Sequence, residues 1–260
     1  MMNYKNMGVI VGATYCLVGC ANTTDLSSEA KLKDNVPTEA LIEKKSSEEI
    51  GEIANTPLIE ISPSEEVTEE EVAYSFYHQE LSNELISELE AIAPINPSVI
   101  TYDDLRHVIV THYDFNGKIQ EGELIVNKSV ADEIVDIFKE VFEAKYPIEK
   151  IRLVSEYRND DDLSMEDNNS SAFNFREITG GGGWSNHAYG LAIDINPKNN
   201  PYVSSWAVYP TSGANYIDRD KNEIGMIQEG DALHQAFINR GWTWGGDWTE
   251  LKDYQHFEKE

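Results

Sequence analysis

The feature that most limits what this chain can fold into is where its core-forming residues begin. From Ala21 to about Val72 the sequence is built from Ser, Thr, Glu, Lys and Pro and is poor in aromatics. Such a stretch buries too little apolar surface to offset the entropy of ordering it, so residues 20–73 are expected to be an acidic, disordered tether. Order is expected over residues 74–260, with a helical and hairpin part at 74–150 and a core of motifs at 151–260. That span suits one domain, since domains usually run to about 100–200 residues. The formal net charge of -27 excludes nucleic acid as a partner class, because its phosphates would be repelled.

Both cysteines, Cys16 and Cys20, fall in the first twenty residues. The ordered part therefore has neither a disulfide nor a thiolate metal site, and a transition metal there must use His and carboxylate. Residues 1–19 read as an export signal, too short to span a membrane. Leu17-Val18-Gly19-Cys20 resembles the lipobox of bacterial lipoproteins, which implies a mature chain beginning at a diacylglyceryl-modified Cys20. The alternative is an ordinary secretory signal that happens to contain cysteine. The expected location is extracytoplasmic, lipid-anchored to the bacterial cell envelope, with the membrane as a partner through that anchor.

Phe76, Leu81, Leu85, Ile86 and Leu89 recur at helical spacing and predict a helix from near Tyr74 to the breakers at Pro94 and Pro97. Val108 to Phe115, Asn116-Gly117 and Glu123 to Val126 predict a β-hairpin with a tight turn. Ser129 is the expected N-cap of a helix carrying Ile134, Ile137, Phe138 and Val141, and Ile151 to Ser155 the expected next strand. Further on, Leu191-Ala-Ile-Asp-Ile195 reads as a buried strand and Ala232 to Ile238 as a helix. Gly241 to Trp244 and Gln255 to Glu258 read as strands or strand-like turns.

Two segments carry the chemistry. In Ser185-Asn-His187-Ala-Tyr-Gly190-Leu-Ala-Ile-Asp194 a glycine turn separates a histidine from a carboxylate set in an apolar strand. A buried carboxylate is costly unless something compensates its charge, and a cation shared with His187 would do so. The spacing also fits a structural hydrogen bond. In Asp253-Tyr-Gln-His256-Phe-Glu258 a second histidine follows a carboxylate by three residues. Two histidines and one carboxylate leave a position for water on zinc, with Asp253 as general base or as a solvated surface charge.

The stretch from about Val154 to the C-terminus resembles the zinc D-alanyl-D-alanine carboxypeptidases, a group that takes in vancomycin-resistance-type peptidases and related L-alanyl-D-glutamate endopeptidases. Ser155-Glu-Tyr-Arg158, Ser171 to Arg176, Ser185 to Pro197, Gly241 to Trp248 and Asp253 to Glu258 carry the resemblance, in the family's order. It implies that His187, Asp194 and His256 hold one zinc ion, and that Asp253, a Glu in some members, is the base. It also implies that Arg158 stabilises the oxyanion, for which a surface ion pair is the alternative. Ser185, Asn174 and Arg176 become candidates for binding the peptide or its carboxylate, with loop architecture as the equal rival.

The fold implied is α+β, a small antiparallel sheet carrying the zinc site and flanked by helices, hedgehog-like. The function implied is D-alanyl-D-alanine carboxypeptidase action on peptidoglycan stem peptides by a monomer. The rivals are an L-alanyl-D-glutamate-type endopeptidase and a non-catalytic zinc-containing wall-binding lipoprotein. At least two of Trp184, Trp242, Trp244 and Trp248 are expected in the core rather than in an aromatic floor, and His78, His107, His112 and His234 are assigned no role.

Overall fold

The computed structural model describes residues 74–178 and 181–260. The expected export signal, the tether and Cys20 lie outside the described residues. The elements are β1 (Tyr77–Gln79), α1 (Asn83–Ile92), β2 (Leu105–Tyr113), β3 (Ile119–Asn127), α2 (Ala131–Glu143), β4 (Lys150–Ile151), α3 (Asp161–Glu166), β5 (Asn169–Ser170), β6 (Ala192–Asp194), β7 (Tyr202–Val203), β8 (Val208–Tyr209), α4 (Ala232–Ile238), β9 (Thr243–Trp244), β10 (Lys252–Asp253) and β11 (His256–Glu258).

Helices and small, mostly antiparallel sheets make this an α+β arrangement. Where one small sheet was expected, the described residues form three antiparallel sheets, ordered β1-β2-β3, β6-β11-β9 and β10-β7-β8, and a parallel pair, β4 with β5.

The hairpin is the longest regular feature, with β2 and β3 in register from Leu105 opposite Asn127 to Tyr113 opposite Ile119. Its turn is wider than the Asn-Gly pair suggests. Asp114 Oδ1 accepts from the Asn116 and Lys118 amides at 2.8 and 2.9 Å, and Gly117 alone takes a positive φ, 72°. The Asp114 side chain thus closes a longer loop than a two-residue turn.

Three further expectations change. The helix starts at Asn83, capped by Ser82 Oγ at 3.1 Å from the Leu85 amide, whereas Tyr77–Gln79 pairs with β2 as an edge strand. Three residues are too few to show a strand period against the helical spacing downstream. Ser129 is not the cap of α2: the cap position is Val130, with no side-chain hydrogen bond, and the Ser129 hydroxyl donates to Asn127 Oδ1 at 2.8 Å. The strand expected at Ile151–Ser155 lasts only to Ile151 and gives way to a 3₁₀ turn at Val154–Tyr157.

Helix α2 lays Ile134, Ile137, Phe138 and Val141 into a core shared with Val108 and Leu124 of the hairpin and Ile193, Phe237, Trp242, Trp244 and Phe257 from the C-terminal half. Phe237 stacks on Phe257 with ring centroids 4.3 Å apart. Burying a side chain of this size stabilises by roughly 1.5–3 kcal/mol. Trp242 and Trp244 are therefore core residues, as expected. A second apolar cluster joins Leu81 and Leu89 of α1's side to Leu105, Ile125 and Phe173. Among the described residues no helix is long and apolar enough to cross a membrane.

Candidate metal centre

Asp194 ends β6 and His256 opens β11, and the antiparallel register sets them directly opposite each other. Opposed residues on one sheet face have Cβ atoms about 4.5–5.5 Å apart, so their side chains meet. The flanking Ile193, Ile195 and Phe257 are fully buried, which excludes water from beneath the pair.

His187 arrives from a 3₁₀ turn, Asn186–Tyr189, whose first amides are capped by Ser185 Oγ, 3.3 Å from the His187 amide. Gly190 then reverses the chain into β6 at φ 67°. A side chain there would set its Cβ 2.6 Å from the Asn127 amide nitrogen, so glycine is required on two counts. The turn is fastened to β3: Asn127 donates its backbone amide to the Gly190 carbonyl at 2.8 Å and its side-chain amide to the Tyr189 carbonyl at 3.0 Å.

One ligand atom each from His187, Asp194 and His256 lies within 4.8 Å of the others, and all three residues are buried. His187 Nε2 is 3.2 Å from Asp194 Oδ2 and 3.2 Å from His256 Nδ1, which is 2.9 Å from Asp194 Oδ1. The far nitrogens are engaged as well. His187 Nδ1 lies 2.6 Å from the Ala172 carbonyl, which only accepts, so Nδ1 donates there and Nε2 is the nitrogen turned to the cluster. His256 Nε2 lies 3.1 Å from Glu258 Oε2.

Burial pushes the Asp194 carboxyl upward, but the two imidazoles outweigh it and hold the group well below the usual carboxylate range. Burial lowers His256, yet Asp194 and Glu258 on its two faces raise it to about 10. Without a metal, then, a single proton on His256 Nδ1 lies between two acceptors, His187 Nε2 and the Asp194 carboxylate, so three ligand atoms converge on it. A divalent ion satisfies all three at once, and two nitrogens with one oxygen is a donor set that suits zinc with a coordination position left for solvent. The residues present fit the metal.

Asp253 ends β10, beside the cluster and half-buried. Its backbone packs against Gly245, where a Cβ would come 2.5 Å from the Asp253 carbonyl oxygen. Gln255 Nε2 donates to its Oδ1 at 3.1 Å. Burial, aided by the Asp194 charge and opposed by His256, pushes the Asp253 carboxyl up to about 6. Trp248 leans on His256 with centroids 5.5 Å apart and walls one side of the site.

The remaining candidates divide. Arg158 is exposed, in a left-handed conformation at φ 57°, and its guanidinium has no ion pair or hydrogen bond among the described residues. Asn174 is buried, and its amide is taken up by Asn159 at 3.1 Å and Asp161 at 3.2 Å, while its backbone amide donates to the His187 carbonyl. Arg176 pairs with Asp161 at 2.9 Å, and its carbonyl accepts from the Ser185 amide. Asn174, Arg176 and Ser185 thus brace the turn that presents His187. Of the histidines without a role, His78 and His107 pair with Asp132 and Glu123, and His112 bonds the Ile148 carbonyl.

Sequence reasoning passed over Glu258, Ala172 and Asn186. Glu258 had a signal, since a residue two positions past His256 on a strand shares its face. Ala172 contributes a backbone carbonyl, which no residue type announces.

A family model described as D-alanyl-D-alanine carboxypeptidase matches residues 179–259. Over this segment, just under a third of its length, the chain is similar to that family. The matched segment holds His187, Asp194 and His256 as well as Asp253 and Glu258, and leaves Arg158, Asn174 and Arg176 outside. The chain is also similar to the peptidoglycan L-alanyl-D-glutamate endopeptidase CwlK of Bacillus subtilis (strain 168), 35% identical over 79 residues, which is 30% of this chain and 40% of that protein. The chain thus spans about two fifths of the length of that curated relative. No solved structure matches.

Proposed function

We propose that this protein is a zinc-dependent peptidase of peptidoglycan stem peptides, acting as a D-alanyl-D-alanine carboxypeptidase. The observation that supports the reading most is the convergence of His187 Nε2, Asp194 and His256 Nδ1, their outer nitrogens already committed to Ala172 and Glu258. The family description of residues 179–259 supports the bond chosen.

Zinc held by these three residues would polarise a scissile carbonyl and bring the pKa of its water to roughly 7. Asp253 is the group to accept the proton of the attacking water and hand it to the leaving amine. A carboxyl raised to about 6 is matched to that task, still mostly charged at neutral pH as a base must be, and basic enough to hold the proton before passing it on. Arg158, with its donors free among the described residues, is the cation to steady the developing oxyanion. Trp248 and the buried apolar strands keep bulk water from the metal's inner side. Cys20 is the residue to carry a lipid anchor, holding the monomer at the envelope; replacing Cys20 with Ala should move the protein from the membrane to the soluble fraction.

A second reading has its own support: the relative similar to residues of this chain is named for L-alanyl-D-glutamate endopeptidase activity. Purified full-length protein incubated with muropeptides, with and without chelator, decides between them by product mass. Loss of a terminal D-alanine, abolished by chelator, is the expected result. An internal cut would replace the carboxypeptidase reading with the endopeptidase one, and intact muropeptides would leave a wall-binding module.

A further inference from the structure

We infer that Glu258 is a positioning residue for the metal centre: with Asn186 it fixes the His256 ring so that Nδ1, and not Nε2, faces the ion. The inference rests on the zinc reading of the cluster. Glu258 and His256 sit two residues apart on β11, so their side chains share one face of the strand. Glu258 Oε2 lies 3.1 Å from His256 Nε2, and the same oxygen accepts from Asn186 Nδ2 at 2.7 Å.

Asn186 begins the turn that carries His187, whereas Glu258 shares a strand with His256. One carboxylate oxygen thus ties the element of one ligand to the element of the other. The ion-facing group within 4.8 Å is made by His187, Asp194 and His256 alone among the described residues, so Glu258 acts on the ring rather than on the metal.

A carboxylate on the far nitrogen does two things for a metal-binding imidazole. It removes the alternative ring flip, because flipping would turn the bonded N–H away from its acceptor, and it makes the ligating nitrogen more basic. His187 receives the first of these from the Ala172 carbonyl, a neutral acceptor. His256 receives both from Glu258. The two histidines are therefore supported unequally, and the charged support falls on the one that bonds through Nδ1.

The test measures zinc affinity of the full chain by competition with a chromophoric chelator, together with 15N imidazole spectra of the zinc-loaded protein. Glu258→Leu should weaken zinc by about 10–100-fold. Glu258→Gln keeps an acceptor oxygen without its charge and should fall between Leu and wild type, and Asn186→Ala should lose less than either. Wild-type spectra should show the His256 proton on Nε2. Unchanged zinc affinity in a folded Glu258→Leu protein overturns the inference, as does a His256 proton on Nδ1. If Glu258→Leu does not fold, unchanged affinity in both Glu258→Gln and Asn186→Ala overturns it. Wild-type protein that binds no zinc removes the reading of the cluster and this inference with it, whereas zinc-binding wild type with an indifferent Glu258 removes the inference alone.

Discussion

The β2–β3 hairpin with α2 and the β6-β11-β9 sheet are built on opposite principles. In the first, strands of nine residues and a helix of thirteen are set by alternation and helical spacing, and their contacts are apolar and interchangeable. In the second, strands of two and three residues hold their geometry through individual polar contacts: a capped turn, a glycine reversal, an asparagine clamp. The comparison teaches that stability and chemistry are lodged in different parts of one packed unit, so a substitution in each should move one and spare the other.

The largest effect should come from Asp194→Ala, which removes the only carboxylate among the three converging groups. Zinc content and muropeptide turnover should both fall to background, with the circular dichroism of the hairpin half retained. Next is Asp253→Ala: turnover should fall by about 10²–10⁴-fold, the usual contribution of a general base, while zinc measured by metal analysis stays bound. Loss of zinc from this variant would show that Asp253 shapes the cluster rather than the proton transfer.

On the hairpin side, Phe138→Ala should cost about 3–5 kcal/mol in chemical denaturation, because Phe138 is fully buried beneath the sheet. Turnover per folded molecule should stay at the wild-type level, and a loss of kcat would break the division drawn above. Acid should act on the site more gently. The Asp253 carboxyl, raised to about 6, takes up its proton as pH falls, so kcat/KM should drop about tenfold for each pH unit below that point. A bound cation would draw the inflection lower, and a flat profile from pH 7 to 4 would remove the base assignment. Smallest is Ser82→Ala, which uncaps α1 and should cost about 1 kcal/mol with no change in turnover.

The hairpin half was legible because its elements are long enough to display a period. The helix with Ile134, Phe138 and Val141 and the paired runs around Asn116-Gly117 signalled themselves through spacing, and only their ends moved, where Ser129 gave up the cap to the Asn127 network. The site half was legible for another reason. Its candidate ligands are chemically rare types in short, ordered motifs, so His187, Asp194 and His256 stood out, and the short apolar runs at Leu191–Ile195 and Gln255–Glu258 already read as the strands that carry two of them. What stayed hidden was whatever depends on backbone atoms or long-range register: the Ala172 carbonyl, the clamp of Asn127, and the internal commitment of the Asn174 amide, for which the resemblance left a substrate contact and loop architecture as equal alternatives.

The fastening of the His187 turn to β3 bears on how the molecule can be cut down. A fragment starting at Ile151 would contain every motif of the family segment, yet it would lose the Asn127 donors of the Tyr189 and Gly190 carbonyls and the Ile125 carbonyl that takes the Phe173 amide. It would also lay bare the apolar faces of Ile193 and Phe257, which pack in one cluster with Val108, Leu124 and Phe138. The smallest excisable unit therefore has to begin well upstream of the His187, Asp194 and His256 cluster, near Tyr74, with the hairpin travelling as part of it.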